Sequence, residues 1–140
     1  MIVLGIDLGK ARTGLAVSDA GGFLASPLRV VAEHGRDRLV GAILAAAEEV
    51  KAELLVVGLP RNMDGSEGES ARNAREIGGR LGTESGLPVV FWDERGTTVT
   101  AHGYLNDTNV RGKKRKVVVD AVAATVILQS YLDSQRIQGK

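Results

Sequence analysis

Ile2-Val3-Leu4-Gly5-Ile6-Asp7-Leu8-Gly9 is an apolar run that closes on a lone carboxylate, and Thr13-Gly14-Leu15-Ala16-Val17-Ser18-Asp19 follows it almost at once. The first stretch reads as a buried strand emerging into a turn, and the second returns from that turn as the other arm of a hairpin. A charge at such a strand tip is costly without a partner. Glycine behind it lets a phosphate or a metal approach the backbone closely, which makes the tip a candidate site. The competing explanation is a turn aspartate bonded to its own backbone.

Phe23 to Ala32 extends this opening to three antiparallel strands, with Ser18-Asp19-Ala20-Gly21-Gly22 as the second turn. Beyond it, helix and strand alternate. Leu39, Ile43, Leu44, Ala47 and Val50 recur at three- and four-residue steps, predicting a helix from about Gly35 to Lys51. Leu54-Leu55-Val56-Val57, bounded by Gly58 and Pro60, is too short for a helix and reads as a fully buried strand. Ser66 with Glu69 three residues later is a capping-box pattern, so a helix with a thin apolar face is predicted to start there and run to about Leu81. Pro88-Val89-Val90-Phe91-Trp92 is the fifth strand and ends in Asp93-Glu94-Arg95, a second acidic strand tip. Thr97 or Thr98 can cap a short helix through Leu105, and Asn106 to Gly112 reads as a flexible segment. Val117 to Leu132 is apolar on most faces and fits a helix buried against a sheet. Three strands, then alternating helix and strand, then a closing helix predict an α/β fold with a five-stranded mixed sheet flanked by helices.

The chain has 140 residues, a length expected to form a single domain, 1–140, with a continuous core. Without cysteine, disulfides and thiolate metal sites are excluded, and His34 and His102 are too far apart for a helical zinc motif. Any metal is therefore expected to be held by oxygen. Met1-Ile2-Val3-Leu4 lacks a basic region ahead of its apolar residues, and no uncharged apolar stretch approaches the ~20 residues needed to span a bilayer. These features predict a cytoplasmic protein with no membrane partner. Eighteen basic and seventeen acidic residues nearly cancel, but the charge is unevenly placed. Arg111-Gly112-Lys113-Lys114-Arg115-Lys116 concentrates five cations in six residues, a cluster suited to a polyanion or, more plainly, to a solvated loop and helix start.

Asp120 is the lone charge in Val117-Val118-Val119-Asp120-Ala121-Val122-Ala123-Ala124. A salt bridge to Lys116 one turn earlier has the weaker orientation and contributes only ~0.3 to 0.5 kcal/mol, which hardly justifies an acid there. If Asp7, Glu94 and Asp120 converge at the carboxyl edge of the sheet, like-charged pairs about 4 Å apart repel by ~4 kcal/mol at an effective dielectric of 20. A divalent cation relieves that repulsion. Hard oxygen ligands select Mg²⁺ or Mn²⁺, and two such ions about 3.5 to 4 Å apart suit phosphodiester cleavage.

Gly5-Ile6-Asp7-Leu8-Gly9, Val57-Gly58-Leu59-Pro60-Arg61-Asn62-Met63-Asp64-Gly65-Ser66, Asp93-Glu94-Arg95, and Lys113-Lys114-Arg115-Lys116 leading to Asp120 together resemble the YqgF/RuvX family, in that family's order and near its spacing. The resemblance covers nearly the whole chain. It implies an RNase H-like fold related to RuvC Holliday-junction resolvases, and a metal-dependent nuclease acting in maturation of the 5′ end of 16S ribosomal RNA. By motif, Asp7, Glu94 and Asp120 are the implied catalytic residues and metal ligands. Adjacent strand residues face opposite ways, so only one of Asp93 and Glu94 is expected at the metals, and the family pattern selects Glu94. Asp64, Glu67 and Glu69 could add a ligand, although capping and solvent exposure explain them more simply. Gly96 and the stretch Ala101 to Val110 depart from the family pattern and bear on the shape of the substrate groove.

Lys10, Arg12, Arg61, Asn62, Arg95, Arg111, Lys113, Lys114, Arg115 and Lys116 are the expected nucleic-acid contacts, against ordinary surface charge as the alternative. With few aromatics, binding is expected to follow the phosphate backbone and to weaken with salt. The expected partners are precursor ribosomal RNA, branched DNA and ribosomal assembly intermediates, with the chain a monomer or homodimer. Two other functions fit parts of the pattern: a resolvase cutting four-way DNA junctions, and a non-catalytic RNA-binding assembly factor that retains an acidic pocket. An actin- or Hsp70-like ATPase shares the first hairpin but needs two such lobes, and this length supplies one.

Overall fold

The computed structural model describes residues 1–93 and 112–138, and side chains within 1–93 and 121–135. Five strands form one sheet: β1 (Val3–Leu8), β2 (Thr13–Ser18), β3 (Ala25–Val31), β4 (Leu54–Leu59) and β5 (Val89–Asp93), in the order β3-β2-β1-β4-β5. The β1–β2 and β2–β3 pairs are antiparallel, whereas β1–β4 and β4–β5 are parallel. The expected mixed sheet is therefore observed. Edge strand β3 carries Pro27, and its register with β2 shifts between Leu15 and Ala16, an irregularity suited to an edge.

Helices α1 (Arg36–Val50) and α2 (Glu69–Ser85) cover one face of the sheet, and α3 (Gly112–Gln138) covers the other. Strand alternation divides the core accordingly. Leu4, Ile6, Leu15, Leu55, Val57 and Leu59 pack with Val40, Ile43, Ile77 and Leu81 beneath α1 and α2. Val3, Ala16, Ala25, Leu54 and Val56 pack with Ala124, Ile127, Leu128 and Leu132 of α3. The face of α1 that is fully buried is Val40, Ile43, Ala46 and Ala47, with Leu39, Leu44 and Val50 on its flanks. Because α2 has little apolar bulk, it compensates by close approach: a Cβ on Gly78 would lie 2.6 Å from the Phe91 ring.

Boundaries differ from expectation in α2 and in α3, the latter spanning Gly112–Gln138 instead of Val117 to Leu132. Ser66 does not cap α2. Gly68 is the N-cap and offers no side-chain bond, while the Ser66 hydroxyl donates to Asp64 Oδ1 at 2.6 Å. The loop's own hydrogen bonds outcompete the capping box, as short polar side chains commonly allow. The helix also runs to Ser85 rather than Leu81, where Gly86, at φ 76°, ends it by donating its N–H to Gly82 O. At the other end of the chain α3 begins at Gly112, so positions 112–116 of the basic cluster lie on helical backbone. The short helix through Leu105 and the flexible segment, up to residue 111, lie outside the described residues, as does Gly96.

Candidate active-site edge

β1, β4 and β5 run parallel, so their carboxyl ends share one edge of the sheet. Asp7 stands there, half-buried, one residue before the end of β1. Its face follows from its neighbours. Val3 packs with α3, and a Cβ on Gly5 would meet Leu128 Cβ at 2.8 Å and the Ala124 carbonyl at 3.3 Å. With a two-residue period, Asp7 falls on that same α3 face. Gly14 is its partner on β2, and Ile6 pairs with Val57, which sets Gly58 beside it on β4. Asp7 is thus flanked on both adjacent strands by residues without side chains, at a place the helix approaches closely.

The direction of α3 brings a second acid towards this edge. Gln129 reaches the amino edge, where its Oε1 accepts from Ala25 N–H at 2.8 Å and its Nε2 donates to the Phe23 carbonyl at 2.9 Å. Ala124 lies at mid-strand against Gly5. The turns before Ala124 therefore rise towards the carboxyl edge, and the backbone of residue 120 is one turn earlier on the same side of the helix. Trp92 fastens α3 from β5, donating Nε1–H to Ser130 Oγ at 3.1 Å and meeting the Tyr131 ring edge-on at 5.5 Å. Burial holds the Tyr131 phenol above its ordinary pKa.

Trp92 shares Asp7's face, because it packs with the α3 cluster, whereas Phe91 packs with the α2 cluster. Asp93 is the last residue of β5 and alternates onto the Phe91 side. Glu94, Arg95 and Arg111 lie outside the described residues, as do the side chains of Lys113, Lys114, Arg115, Lys116 and Asp120. Among the described residues, no three Asp, Glu, His or Cys side chains gather in a way that could hold a metal ion.

The β1–β2 loop carries Lys10 and Arg12 directly beyond Asp7. Gly9 N–H donates to the Arg12 carbonyl at 3.0 Å, and a Cβ on Gly9 would sit 2.4 Å from that oxygen. Gly9 is therefore demanded by the turn itself. Arg61 and Asn62 begin a second rigid loop at the same edge. Asn62 N–H donates to the Ser66 carbonyl at 2.9 Å and its Nδ2 donates to Ser66 Oγ at 2.9 Å, so this side chain is engaged within the loop. Arg61 reaches Glu67 at 3.4 Å, and its buried Nε has no hydrogen-bond partner among the described residues. Glu67 also accepts two bonds from Arg75, both at 2.7 Å, and the Arg75 guanidinium lies 5.3 Å above the centre of the Phe91 ring. Arg75 foremost, with Arg61, holds the Glu67 carboxyl below the usual carboxylate range. Glu67 thus acts as a clamp at the base of the loop, and Asp64 bonds the Ser66 backbone N–H at 2.9 Å. Sequence reasoning did not anticipate this clamp, whose arginines lie six and eight residues from Glu67 and share no periodic signal.

A family model described as RuvX, Holliday junction resolvase, matches residues 1–134. A Nocardioides protein named "Putative pre-16S rRNA nuclease" is 48% identical, over 97% of this chain and 90% of that one. Proteins of the same name from Clostridium botulinum and Geobacillus kaustophilus are 41% and 43% identical, over 95% and 97% of this chain and 97% and 100% of theirs. Among solved structures, Thermus thermophilus RuvC in complex with a Holliday junction substrate aligns with a TM-score of 0.62 at 19% identity, covering 97% of this chain and 96% of that one. The fowlpox virus Holliday junction resolvase aligns with a TM-score of 0.58 at 11% identity, covering 96% and 99%. At such identities these two likenesses concern the fold, which is RNase H-like as the sequence resemblance implied. The length of the family match and the identity to its curated relatives establish that this chain belongs to the RuvX family.

Proposed function

We propose that residues 1–140 act as one nuclease domain that hydrolyses phosphodiester bonds in the 5′ leader of precursor 16S rRNA, using Asp7, Glu94 and Asp120 as its catalytic acids. The observation that carries this reading is the placement of Asp7: half-buried, at the carboxyl edge, between Gly14 and Gly58, on the face against which α3 carries residue 120. Glu94 is preferred to Asp93 because Asp93 falls with Phe91 on the opposite face. Relatives named for pre-16S rRNA favour RNA as substrate.

The donor set suits a hard divalent cation. It consists of carboxylate oxygens, and the chain has no thiolate to favour a softer metal. Bound Mg²⁺ or Mn²⁺, as a pair, would lower the pKa of water and stabilise the leaving oxygen. Asp7, Glu94 and Asp120 would hold these ions, and Gly14 and Gly58 leave space for the scissile phosphate beside Asp7. Lys10 and Arg12 lie beyond the tip of β1, where they can orient the substrate backbone. Arg61 is braced by Glu67, and Arg95, Arg111 and Lys113 to Lys116 are the further phosphate contacts in this reading. Asn62 supports the loop through one Nδ2–H and would offer its second to phosphate. A cytoplasmic setting and contact with ribosomal assembly intermediates accompany such a substrate, for a monomer or a homodimer.

Asp7→Asn preserves the shape of the side chain and removes its charge. Outer-shell partners of metal sites are worth about 10–100-fold, so loss of a direct ligand should reduce cleavage by at least about 100-fold while substrate binding persists. Precursor rRNA and a four-way DNA junction, each tested with Mg²⁺ and with Mn²⁺, separate the reading suggested by the relatives from the one in the family description. Single-site RNA cleavage supports processing, and paired symmetric nicks support resolution. Cleavage undiminished by Asp7→Asn would exclude this edge as the active site.

A further inference from the structure

On the side of the β1–β2 hairpin opposite Asp7, three separate segments enclose a polar cleft of about 240 Å³. Lys10, Ala11, Arg12 and Thr13 form one wall, Glu33, His34 and Arg36 a second, and Asn73 and Ile77 of α2 the third. Lys10, Arg12 and Arg36 line it with one carboxylate, Glu33, and Glu76 pairs with Arg36 from beyond the lining. The cleft is prebuilt. Thr13, only 2% exposed, pairs with Leu8, and the Gly9 N–H bond to the Arg12 carbonyl sets the wall that carries the cations. Arg36 is braced from behind, donating Nη1–H to Glu76 at 2.8 Å and Nη2–H to Asn73 Oδ1 at 2.7 Å. These two bonds orient the guanidinium and leave its remaining donors available to the cleft.

We infer that this cleft is a phosphodiester subsite, which holds the substrate strand after it has crossed the β1–β2 loop from the Asp7 face. The inference rests on the nuclease reading for the identity of the strand. Leu8 follows Asp7 directly, and consecutive strand residues point to opposite faces, so the two places lie back to back across one strand of the sheet. A strand lying over the edge passes Lys10 and Arg12 between them. The Arg36 guanidinium can hold a phosphate through its remaining donors, and Lys10 and Arg12 add positive charge on the facing wall. Charged and polar groups dominate the lining, which holds no Phe, Tyr or Trp for a base to stack on, so the cleft favours backbone phosphate over base.

Two variants place a carboxylate in the cleft without removing a hydrogen bond or ion pair of the exposed residues they replace: Ala11→Glu and His34→Glu. Gln135→Glu makes the same charge change on exposed α3, far from the cleft. Binding of a short labelled single-stranded oligoribonucleotide is measured by anisotropy in EDTA, across a salt series, in protein also bearing Asp7→Asn. The two cleft variants should weaken binding about tenfold and flatten the log-log salt slope by about one unit, with Gln135→Glu within about twofold of the parent. Equal weakening by all three would reduce the effect to net charge and overturn the subsite. Unchanged binding by the cleft variants would also overturn it, including where inorganic phosphate still perturbs the His34 ring resonances, since the cleft would then serve a free anion. Cleavage by the parent protein is scored separately. A cleft that binds RNA in a chain without nuclease activity sinks the catalytic reading alone, and cleavage without cleft-dependent binding sinks this inference alone.

Discussion

Lys51 ends α1 in the left-handed region, at φ 59° and ψ 46°, where a side chain is disfavoured. Its N–H bonds the Glu48 carbonyl at 3.1 Å, and Ala52 N–H bonds Ala47 O at 2.9 Å, so the reversal into β4 depends on this conformation. Glycine adopts it without steric cost but loses more chain entropy on folding. The two effects leave a net gain, and Lys51→Gly is expected to raise stability by about 0.5–1 kcal/mol, read as a higher urea midpoint at unchanged slope. Gly9 shows the converse, since the Arg12 carbonyl occupies the space of its missing Cβ. The glycine that the sequence suggested for phosphate approach is first a requirement of the turn, and the phosphate argument shifts to the cations this turn presents.

Among the helices, α3 determines the relation between its own acid and the sheet. Its seat is Gly5, where an added Cβ would press on Leu128 Cβ at 2.8 Å. Neither atom is the far end of a long side chain, so the helix as a whole must give way. Gly5→Ala is expected to cost about 1–3 kcal/mol in urea unfolding, as overpacking does. It should also lower nuclease activity in the fraction that remains folded, because residue 120 moves with the helix. A thermal melt beside a specific-activity measurement separates the two effects. The capping-box expectation failed between elements for a related reason. Ser66 and Glu69 have the right spacing, but Asp64 and Asn62 claim the hydroxyl of Ser66.

Across the molecule, ion pairs tie separate segments together. Arg80 on α2 joins Asp37 of α1 at 2.7 Å, Arg29 of β3 joins Glu49 of α1, and Glu67 joins Arg75. Asp19 belongs to the same pattern without a cation: the Phe23 and Leu24 N–H groups hold its carboxyl below the ordinary value across the β2–β3 turn. A carboxyl with a depressed folded pKa stabilises the fold above its unfolded value, near the ordinary 3.8 for Asp19 and 4.5 for Glu67. That contribution disappears as pH falls through the folded value. Stability is therefore expected to hold through neutral pH and to decline on the acid side of pH ~4.5. Glu67→Gln should be less stable than the parent at pH 7 and approach it as pH falls, giving a flatter acid limb in urea midpoints. A constant gap across that range would show that the clamp owes its effect to packing.

Sequence periodicity was sufficient for the five strands, for α1 and for the apolar body of α3, because burial imposes a two-residue repeat on strands and a near four-residue repeat on helices. Asp7 was legible for the same reason, as a charge interrupting an apolar strand where it must surface. Convergence was not legible. Gly14 and Gly58 flank Asp7 only through strand register, Asp93 is separated from Asp7 only by the face on which Phe91 packs, and His34 and Arg36 meet Lys10 and Arg12 only because α1 and α2 cover the same side of the sheet. Local preference acts over a few neighbouring residues, whereas these meetings depend on how distant segments pack, and so the tertiary structure alone decided them.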